Sequence, residues 1–295
     1  MSKKEKKEWF NDEEFWQVYA PVMFDERRWS EVPAVSDAVT RLAGLKLYKD
    51  LGKSKGKKTA AAKSTAAKST AAKSKASTNS LKPKVLDLCC GFGRITLELA
   101  RRGFNATGVD LCRSYLETAK ENALQEKLEI DFIENDVRSY KSKEAFDLVI
   151  NLYNSFGYFE NPDDDFILVK NAFNSLKAGG AFIIDVLGKE IAVRDYNEAE
   201  WFERAGYMVL TETNPLDSWS SIWNRWILIT NNKHWEKELT QRLYSASELR
   251  SLLYKAGFAI VEIYGNWDEG EYNQHAQSLI AVARKAPSVK SKAVK

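Results

Sequence analysis

The sequence predicts an α/β fold, a mostly parallel sheet with helices on both faces. Three observations lead there. An apolar run at 84–89 passes through a glycine-bearing turn into a helical run at 93–102. This is the strand–turn–helix element on which such folds hold nucleotide-like ligands. Strand and helix patterns then alternate as far as residue 187, as crossover-linked parallel strands require. Acidic residues recur where these strands end, at Asp87, Asp110 and Asp136. Open parallel sheets bind their ligands along that edge.

In the first turn, Gly91 and Gly93 let the backbone come close to a ligand, because a Cβ would block the approach or forbid the needed φ. A dinucleotide fingerprint fits poorly. It wants a small residue where Thr96 stands, and it sets a pyrophosphate on the helix N-terminus, where Asp87 is electrostatically unwelcome. An acid ahead of the glycines suits a ligand with a positive amino group.

At 295 residues the chain can hold one large domain with additions, or two small ones. Its 44% hydrophobic and 12% aromatic content supports a substantial core. No run approaches the roughly 18 apolar residues of a membrane helix. Residues 1–8 are rich in lysine and glutamate with no apolar segment after them, so no secretory signal is expected. Three cysteines make neither a disulfide framework nor a metal spacing, and the expected setting is reducing and cytoplasmic. The net charge of +3 conceals an asymmetry. Residues 51–80 hold eight lysines and no acid, which leaves 36 basic against 41 acidic residues elsewhere.

Residues 1–51 read as an N-terminal helical cap. Trp9, Phe10, Phe15, Trp16, Tyr19 and Phe24 recur at spacings near three and four, with an interruption expected at Pro21 and a second helix at 35–47. Such a cap either braces the main domain or covers a ligand, and Tyr19 and Arg28 are its notable polar-tipped residues. Residues 52–80 are of low complexity, with Ala-Ala-Lys-Ser-Thr at 61–65 repeated at 66–70. A period of five spreads the lysines around any helix, so no apolar stripe forms and a linker is expected. Nucleic-acid tethering is the alternative for so basic a stretch, although no aromatic residue is interleaved for base stacking. Residues 81–284 form the main domain and 285–295 a basic tail.

Within the main domain, the second strand at 104–110 ends in Asp110, 17 residues beyond Gly93. There the two acceptors of a carboxylate can meet the two donors of a ribose diol. A helix at 113–126, a strand at 129–134 and the turn at Asn135, Asp136 and Val137 follow. A fourth strand from residue 146 runs into a loop holding Asn151, Tyr153, Asn154, Ser155 and Tyr158. Loops carry chemistry, and buried strand ends do not hold polar groups idly. The aromatic rings suit a cation as well, worth about 0.5–2 kcal/mol over a ring face. Asn161, Pro162 and the acids Asp163, Asp164 and Asp165 read as a helix cap with dipole-matched charges rather than a metal cluster.

Residues 190–244 change character. Segments 209–213, 219–230 and 233–244 read as antiparallel strands inserted on the substrate side. They carry Trp219, Trp223, Trp226 and Trp235, with Arg225 and His234 as the charged or titratable exceptions. Ser245 caps a helix at 248–256, Gly257 closes it, and strands at 258–264 and 278–283 complete the domain.

These motifs resemble those of the class I S-adenosylmethionine-dependent methyltransferases. Motif I of that family runs acid-x-Gly-x-Gly-x-Gly, and here Asp87, Cys89, Gly91 and Gly93 stand at those positions, with cysteine in place of the first glycine. The resemblance covers 81–190 and 245–284 through four ordered motifs. It implies a Rossmann-like, seven-stranded sheet and S-adenosyl-L-methionine as cofactor. The implied cofactor residues are Asp87, Cys89, Gly91, Gly93 and Arg94 of the first motif, Asp110 and Leu111 at the ribose, and Asp136 and Val137 at the adenine. Asn151 and Leu152 join them at the tip of strand four. Because that tip faces the transferred methyl group in the family, Asn154 and Tyr158 are expected catalytic residues, with Tyr19 and His234 beside them. The loop at 154–158 is most similar to that of small-molecule methyltransferases and lacks the Asn-Pro-Pro-Tyr motif of many nucleic-acid and protein amide N-methylating enzymes. The expected reaction is therefore in-line transfer to nitrogen or oxygen of a small molecule, without a metal and away from membranes. Two alternatives stand beside it: an RNA- or protein-directed enzyme tethered by the lysine-rich segment, and a non-catalytic cofactor-binding protein.

Deleting residues 53–79, which carry no apolar stripe, is expected to leave melting temperature and cofactor affinity nearly unchanged. Thermal unfolding and calorimetry check this. A large loss of turnover with strongly salt-dependent substrate affinity is the outcome that favours the tether.

Overall fold

The computed structural model describes residues 8–45 and 82–288. The linker expected at 52–80 lies outside the described residues, as does most of the basic tail. Seven strands form one sheet: β1 (Lys84–Leu88), β2 (Asn105–Asp110), β3 (Asp131–Glu134), β4 (Phe146–Asn151), β5 (Leu176–Val186), β10 (Ile260–Tyr264) and β11 (Leu279–Arg284). Their order is β10-β11-β5-β4-β1-β2-β3. Every neighbouring pair is parallel except those made by β11, which runs antiparallel to both β5 and β10. The strand order reverses between β1 and β4, and the crevice at such a switch point is where ligands bind.

Both faces of this sheet are covered, so its central strands read as near-continuous apolar runs. On one face α3 (Val32–Ala43) and α4 (Arg94–Arg101) pack Val35, Val39, Leu42, Ile95 and Leu99 against Leu148, Ile150 and Ile183. On the other, α6 (Pro162–Ser175) and α8 (Ala246–Ala256) pack Leu168, Val169, Leu249 and Leu253 against Val149, Phe182 and Ile184. Between them, α5 (Arg113–Gln125) sets Leu116 and Ala119 on Phe132 of β3. The caps form as their residues dictate. The Asn161 side chain accepts from Asp163 N at 3.1 Å, and Ser245 with Glu248 makes a reciprocal capping box.

The N-terminal region is a short 3₁₀ turn (Trp9–Asn11) followed by α1 (Glu13–Met23), α2 (Glu26–Ser30) and α3. Two boundaries differ from the sequence reading. Pro21 does not interrupt α1, because it falls in the last turn, where only one backbone bond is lost before the helix stops. The next long helix starts at Val32 rather than 35, since Pro33 sits in its first turn, where its missing N–H has no partner to lose.

The insertion opens with a short helix, α7 (Lys189–Arg194), and forms a second sheet of four antiparallel strands. These are β6 (Ala199–Arg204), β7 (Tyr207–Leu216), β8 (Ser221–Ile229) and β9 (His234–Arg242), in that order. Strand β6 escaped the sequence reading because it is an exposed edge with three charged residues in six, which masks any alternation. Helix α1 lies on the inner face of this sheet, with Phe15, Tyr19 and Val22 packed on Val209 and Leu228.

Tyr19 is 2% exposed, and its hydroxyl donates to the backbone carbonyls of Trp226 at 2.8 Å and Trp235 at 3.2 Å. Burial and the charge of Glu236 push its pKa up to about 12, so it stays a neutral donor. This expected catalytic residue is a brace between α1 and the inserted sheet. Tyr19→Phe is expected to cost about 1–3 kcal/mol of stability, through carbonyls left unsatisfied, and to leave cofactor affinity unchanged. Chemical denaturation and calorimetry on the one variant measure both.

Candidate active site

A cavity of about 600 Å³ opens at the carboxyl ends of β1, β2 and β4, within the usual range for ligand pockets. Asp87 lies at its base, 5% exposed, and accepts the Thr96 hydroxyl at 2.6 Å. The residue that spoils a dinucleotide fingerprint is thus a clamp on the motif's acid. Burial, with the nearby charge of Asp110, pushes Asp87 up to about 7 against the opposing pull of Thr96 and Arg94. Cys89 stands at φ +61, a left-handed conformation that costs an L-residue roughly 1–2 kcal/mol and that glycine adopts freely. Its thiol and that of Cys90 are raised well above the ordinary value by burial, which leaves both poor nucleophiles.

Asp110 accepts the amide of Gly91 at 2.7 Å and that of Cys112 at 2.8 Å, tying the first turn to the tip of β2. A carboxylate has about four lone-pair sites, so acceptors remain for a diol. Asp136 is held on both oxygens by Arg138, whose guanidinium also reaches Glu8 at 2.7 Å and Asp164 at 3.0 Å. Arg138 thereby fastens the N-terminal segment to the rim of the cavity. Leu111, Val137 and Leu152 line the cavity as expected. Gly93 and Asn151 do not. At Gly93, the cap of α4, a Cβ would stand 2.9 Å from the Phe132 ring, so the glycine serves packing. Asn151 is fully buried and donates to the Leu88 carbonyl at 3.0 Å, bracing β4 on β1.

Arg94 is 5% exposed, donates to the Arg28 carbonyl at 2.5 Å and lies 4.6 Å from the centre of the Tyr153 ring. Arg28 approaches the same ring at 5.5 Å. Among the described residues Arg94 makes no ion pair, and the buried Tyr153 hydroxyl has no hydrogen-bond partner. Burying such groups unpaired is costly, and a ligand carboxylate at this point relieves both.

Residues 85–180 match the family model described as a methyltransferase domain. YqeM of Bacillus subtilis, itself only provisionally named a methyltransferase, is 26% identical over 217 residues, which span 71% of this chain and 87% of that protein. The chain carries a class I S-adenosylmethionine-dependent methyltransferase domain. In fold it is similar to an S-adenosylmethionine-dependent methyltransferase of Clostridium acetobutylicum, with a TM-score of 0.61, 21% identity, and coverage of 72% of this chain and 88% of that one. It is similar also to CalS10 of Micromonospora echinaspora, an amino pentose methyltransferase with the cofactor bound. There the TM-score is 0.54 and the identity 15%, over 82% of this chain and 98% of that one.

The residues at the cavity base fit that cofactor. Asp110 offers acceptors to a ribose diol, Asp87 an acid to an amino group, and Arg94 with the orphaned Tyr153 hydroxyl a seat for a carboxylate. Beyond them the methyltransferase shapes a second compartment around the loop after β4. Tyr153 and Asn154 both have positive φ, +57 and +64. Asp185 holds this turn by accepting Tyr153 N on its side chain at 3.2 Å and Asn154 N on its carbonyl at 3.0 Å. The Asn154 amide accepts from Leu187 N at 2.9 Å and donates to Gln241 at 3.0 Å, and Gln241 donates on to the Phe156 carbonyl at 2.9 Å.

Asn154 and Tyr158 therefore line the cavity of the methyltransferase, whereas Tyr19 and His234 do not. His234 is exposed in the β8–β9 hairpin, paired across it with Ile229. Tyr158 meets Trp9 with ring centres 4.8 Å apart, and burial holds its hydroxyl far above the ordinary range. Gln241, Asp185 and the pairing of Arg94 with Tyr153 were missed from sequence. Only the polar density of the β4 loop hinted at them.

With Asp87 as the expected partner of the cofactor's ammonium, which prefers the ionised carboxylate, cofactor affinity is expected to rise with pH through the acid side of 7. The gain approaches about tenfold per unit below the pKa and flattens above it. Asp87→Asn removes the slope. Calorimetric titration of S-adenosylhomocysteine between about pH 5.5 and 7.5 tests this, and a wild-type affinity indifferent to pH would refute it.

Proposed function

We propose that this methyltransferase transfers the methyl group to nitrogen or oxygen of a small-molecule acceptor held between the β4 loop and the inserted sheet. The observation that supports this reading is the continuity of the cavity. It runs from the Asp87–Asp110 end past Tyr153 and Asn154 to Thr211, Asn224 and Gln241 of the insertion. The N-terminal helices close it from the other side, through Val22, Met23 and Phe24. Lys237 meets Asp12 at 2.5 Å and Arg138 meets Glu8, so this wall is tied at both ends. A compartment walled in this way suits a small acceptor better than a macromolecular one. CalS10, similar in fold, acts on an amino pentose.

The cofactor supplies a methyl group already activated for displacement. The chain's part is to hold the acceptor atom in line and to exclude water, and such alignment is worth about 7–11 kcal/mol. A general base is required only if the nucleophile arrives protonated. Neither histidine lines the cavity, which matches chemistry resting on alignment.

Tritiated methyl transfer over a cell extract, with small molecules separated from RNA and protein, tests the reading. Label is expected in the small-molecule fraction. Tyr158→Phe and Asn154→Ala should lower kcat at least about tenfold while the S-adenosylhomocysteine affinity stays within about twofold, since they remove positioning and not adenosine contacts. Label confined to RNA or protein would decide for the tethered enzyme instead.

A further inference from the structure

The inner face of the inserted sheet has two unlike halves. At one end Val209 and Leu228, direct neighbours across β7 and β8, are buried under α1. Two residues further along each strand, the face turns polar and borders the cavity. Glu200, Thr211 and Trp226 are direct neighbours across β6, β7 and β8, and Thr213 with Asn224 forms the next row. All five line the cavity. Facing positions on adjacent strands lie about 4.5–5.5 Å apart, so a carboxylate, a hydroxyl and an indole stand in one line across three strands.

Thr213 donates its hydroxyl to the Asn197 carbonyl at 2.5 Å, whereas the other polar groups of this half have few protein partners among the described residues. Thr211 is 8% exposed, and among the described residues its hydroxyl makes no hydrogen bond. Asn224 donates weakly to the Ile222 carbonyl at 3.4 Å, and among the described residues its own amide oxygen accepts no hydrogen bond. Of the nearby charges, Asp195 pairs with Arg194, Arg204 with Asp25, and Arg28 with Glu31. Glu200 alone among these has no ion pair within the described residues. Val22, Met23 and Ile191 add apolar surface to the same cavity. Thr211 is buried, Asn224 half-buried and Glu200 exposed at the edge of the sheet, so polar groups on this wall of the cavity select for a ligand that supplies matching ones.

Resting on the small-molecule reading above, we propose that the acceptor is a small, multiply hydroxylated ring bearing an amine. Its carbon–hydrogen face packs on Trp226 and that apolar surface, its hydroxyls reach Thr211 and Asn224, and its amine faces Glu200. An acidic acceptor meets repulsion from Glu200. A flat phenol leaves the Thr211 and Asn224 groups unpaired, the situation in which polar sites discriminate most strongly. In the reaction the neutral amine nitrogen forms the new N–C bond with its lone pair. The S–C bond breaks, and its electron pair stays on sulfur. Positive charge thus passes from sulfur to nitrogen, where the Glu200 carboxylate lies.

The full-length enzyme with saturating S-adenosylmethionine is offered glucosamine, glucose, glucuronate and catechol, and S-adenosylhomocysteine formation is followed. Glucosamine is expected to give saturable turnover, and glucuronate and catechol none. Glu200→Gln and Thr211→Val should each raise the KM for glucosamine by about five- to tenfold with S-adenosylhomocysteine affinity unchanged. Preferential methylation of glucuronate or catechol, or an unchanged KM in both variants, overturns the proposal. If calorimetry shows S-adenosylhomocysteine bound while none of the four probes is methylated, this acceptor class is wrong and the methyltransferase reading survives. If no S-adenosylhomocysteine binds, the underlying reading fails as well.

Discussion

The structure depends on how one loop is held. After β4 the chain makes two consecutive left-handed turns at non-glycine residues, Tyr153 and Asn154. Each such residue stores on the order of 1–3 kcal/mol and persists only where its surroundings over-determine it. Here they do. Asp185 takes both amides of the turn, Leu187 donates to the Asn154 side chain, and Gln241 reaches across from the inserted sheet. Next to it Gly157, at φ +84, lets Arg242 N bond its carbonyl at 2.7 Å, in a space where any Cβ would collide with the Arg242 backbone. The parallel sheet and the insertion meet through these bonds. Strain at the tip of β4 is offset by hydrogen bonds from a strand almost ninety residues later in the chain.

That joint gives the cavity its two ends and their different electrostatics. At the cofactor end, three carboxylates share a small volume and are kept there by specific donors: Thr96 for Asp87, backbone amides for Asp110, and Arg138 for Asp136. Burial raises both Asp87 and Asp110. Arg94 opposes this from the first turn of α4, lowered itself by burial and without an ion pair among the described residues. On the side of the inserted sheet the Glu200 carboxylate stands among hydroxyls and an amide, and α1 covers the apolar part of the same sheet face.

The acids and glycines that gather at the carboxyl ends of β1 and β2 were legible in the sequence because their signals are local. Asp87, Gly91 and Asp110 sit at fixed spacings within strand–turn–helix units, and each unit folds with its own residues. Asp136, expected at the adenine, was singled out by order along the chain, but its tie through Arg138 to Glu8 was not, since Glu8 lies 130 residues from Arg138. Tyr19 and His234 were expected at the chemistry on residue type alone. Type does not reveal direction, and α1 turns Tyr19 onto the sheet while the hairpin turns His234 to solvent.

By itself, then, the sequence determined the alternation of strands and helices, the seven-stranded sheet, the methyltransferase motif and the caps that end its helices. The alternation and the caps rest on periodicity or on contacts a few residues apart, and the sheet of seven on the family resemblance that the ordered motifs carry. Only the tertiary structure decided which side of the β4 loop faces the ligand, that Gln241 holds it, and that Glu200, Thr211 and Trp226 form one row. Those relations come from the register of β6, β7 and β8 and from the docking of α1. Register is set by packing between distant segments, and no spacing within one segment encodes it.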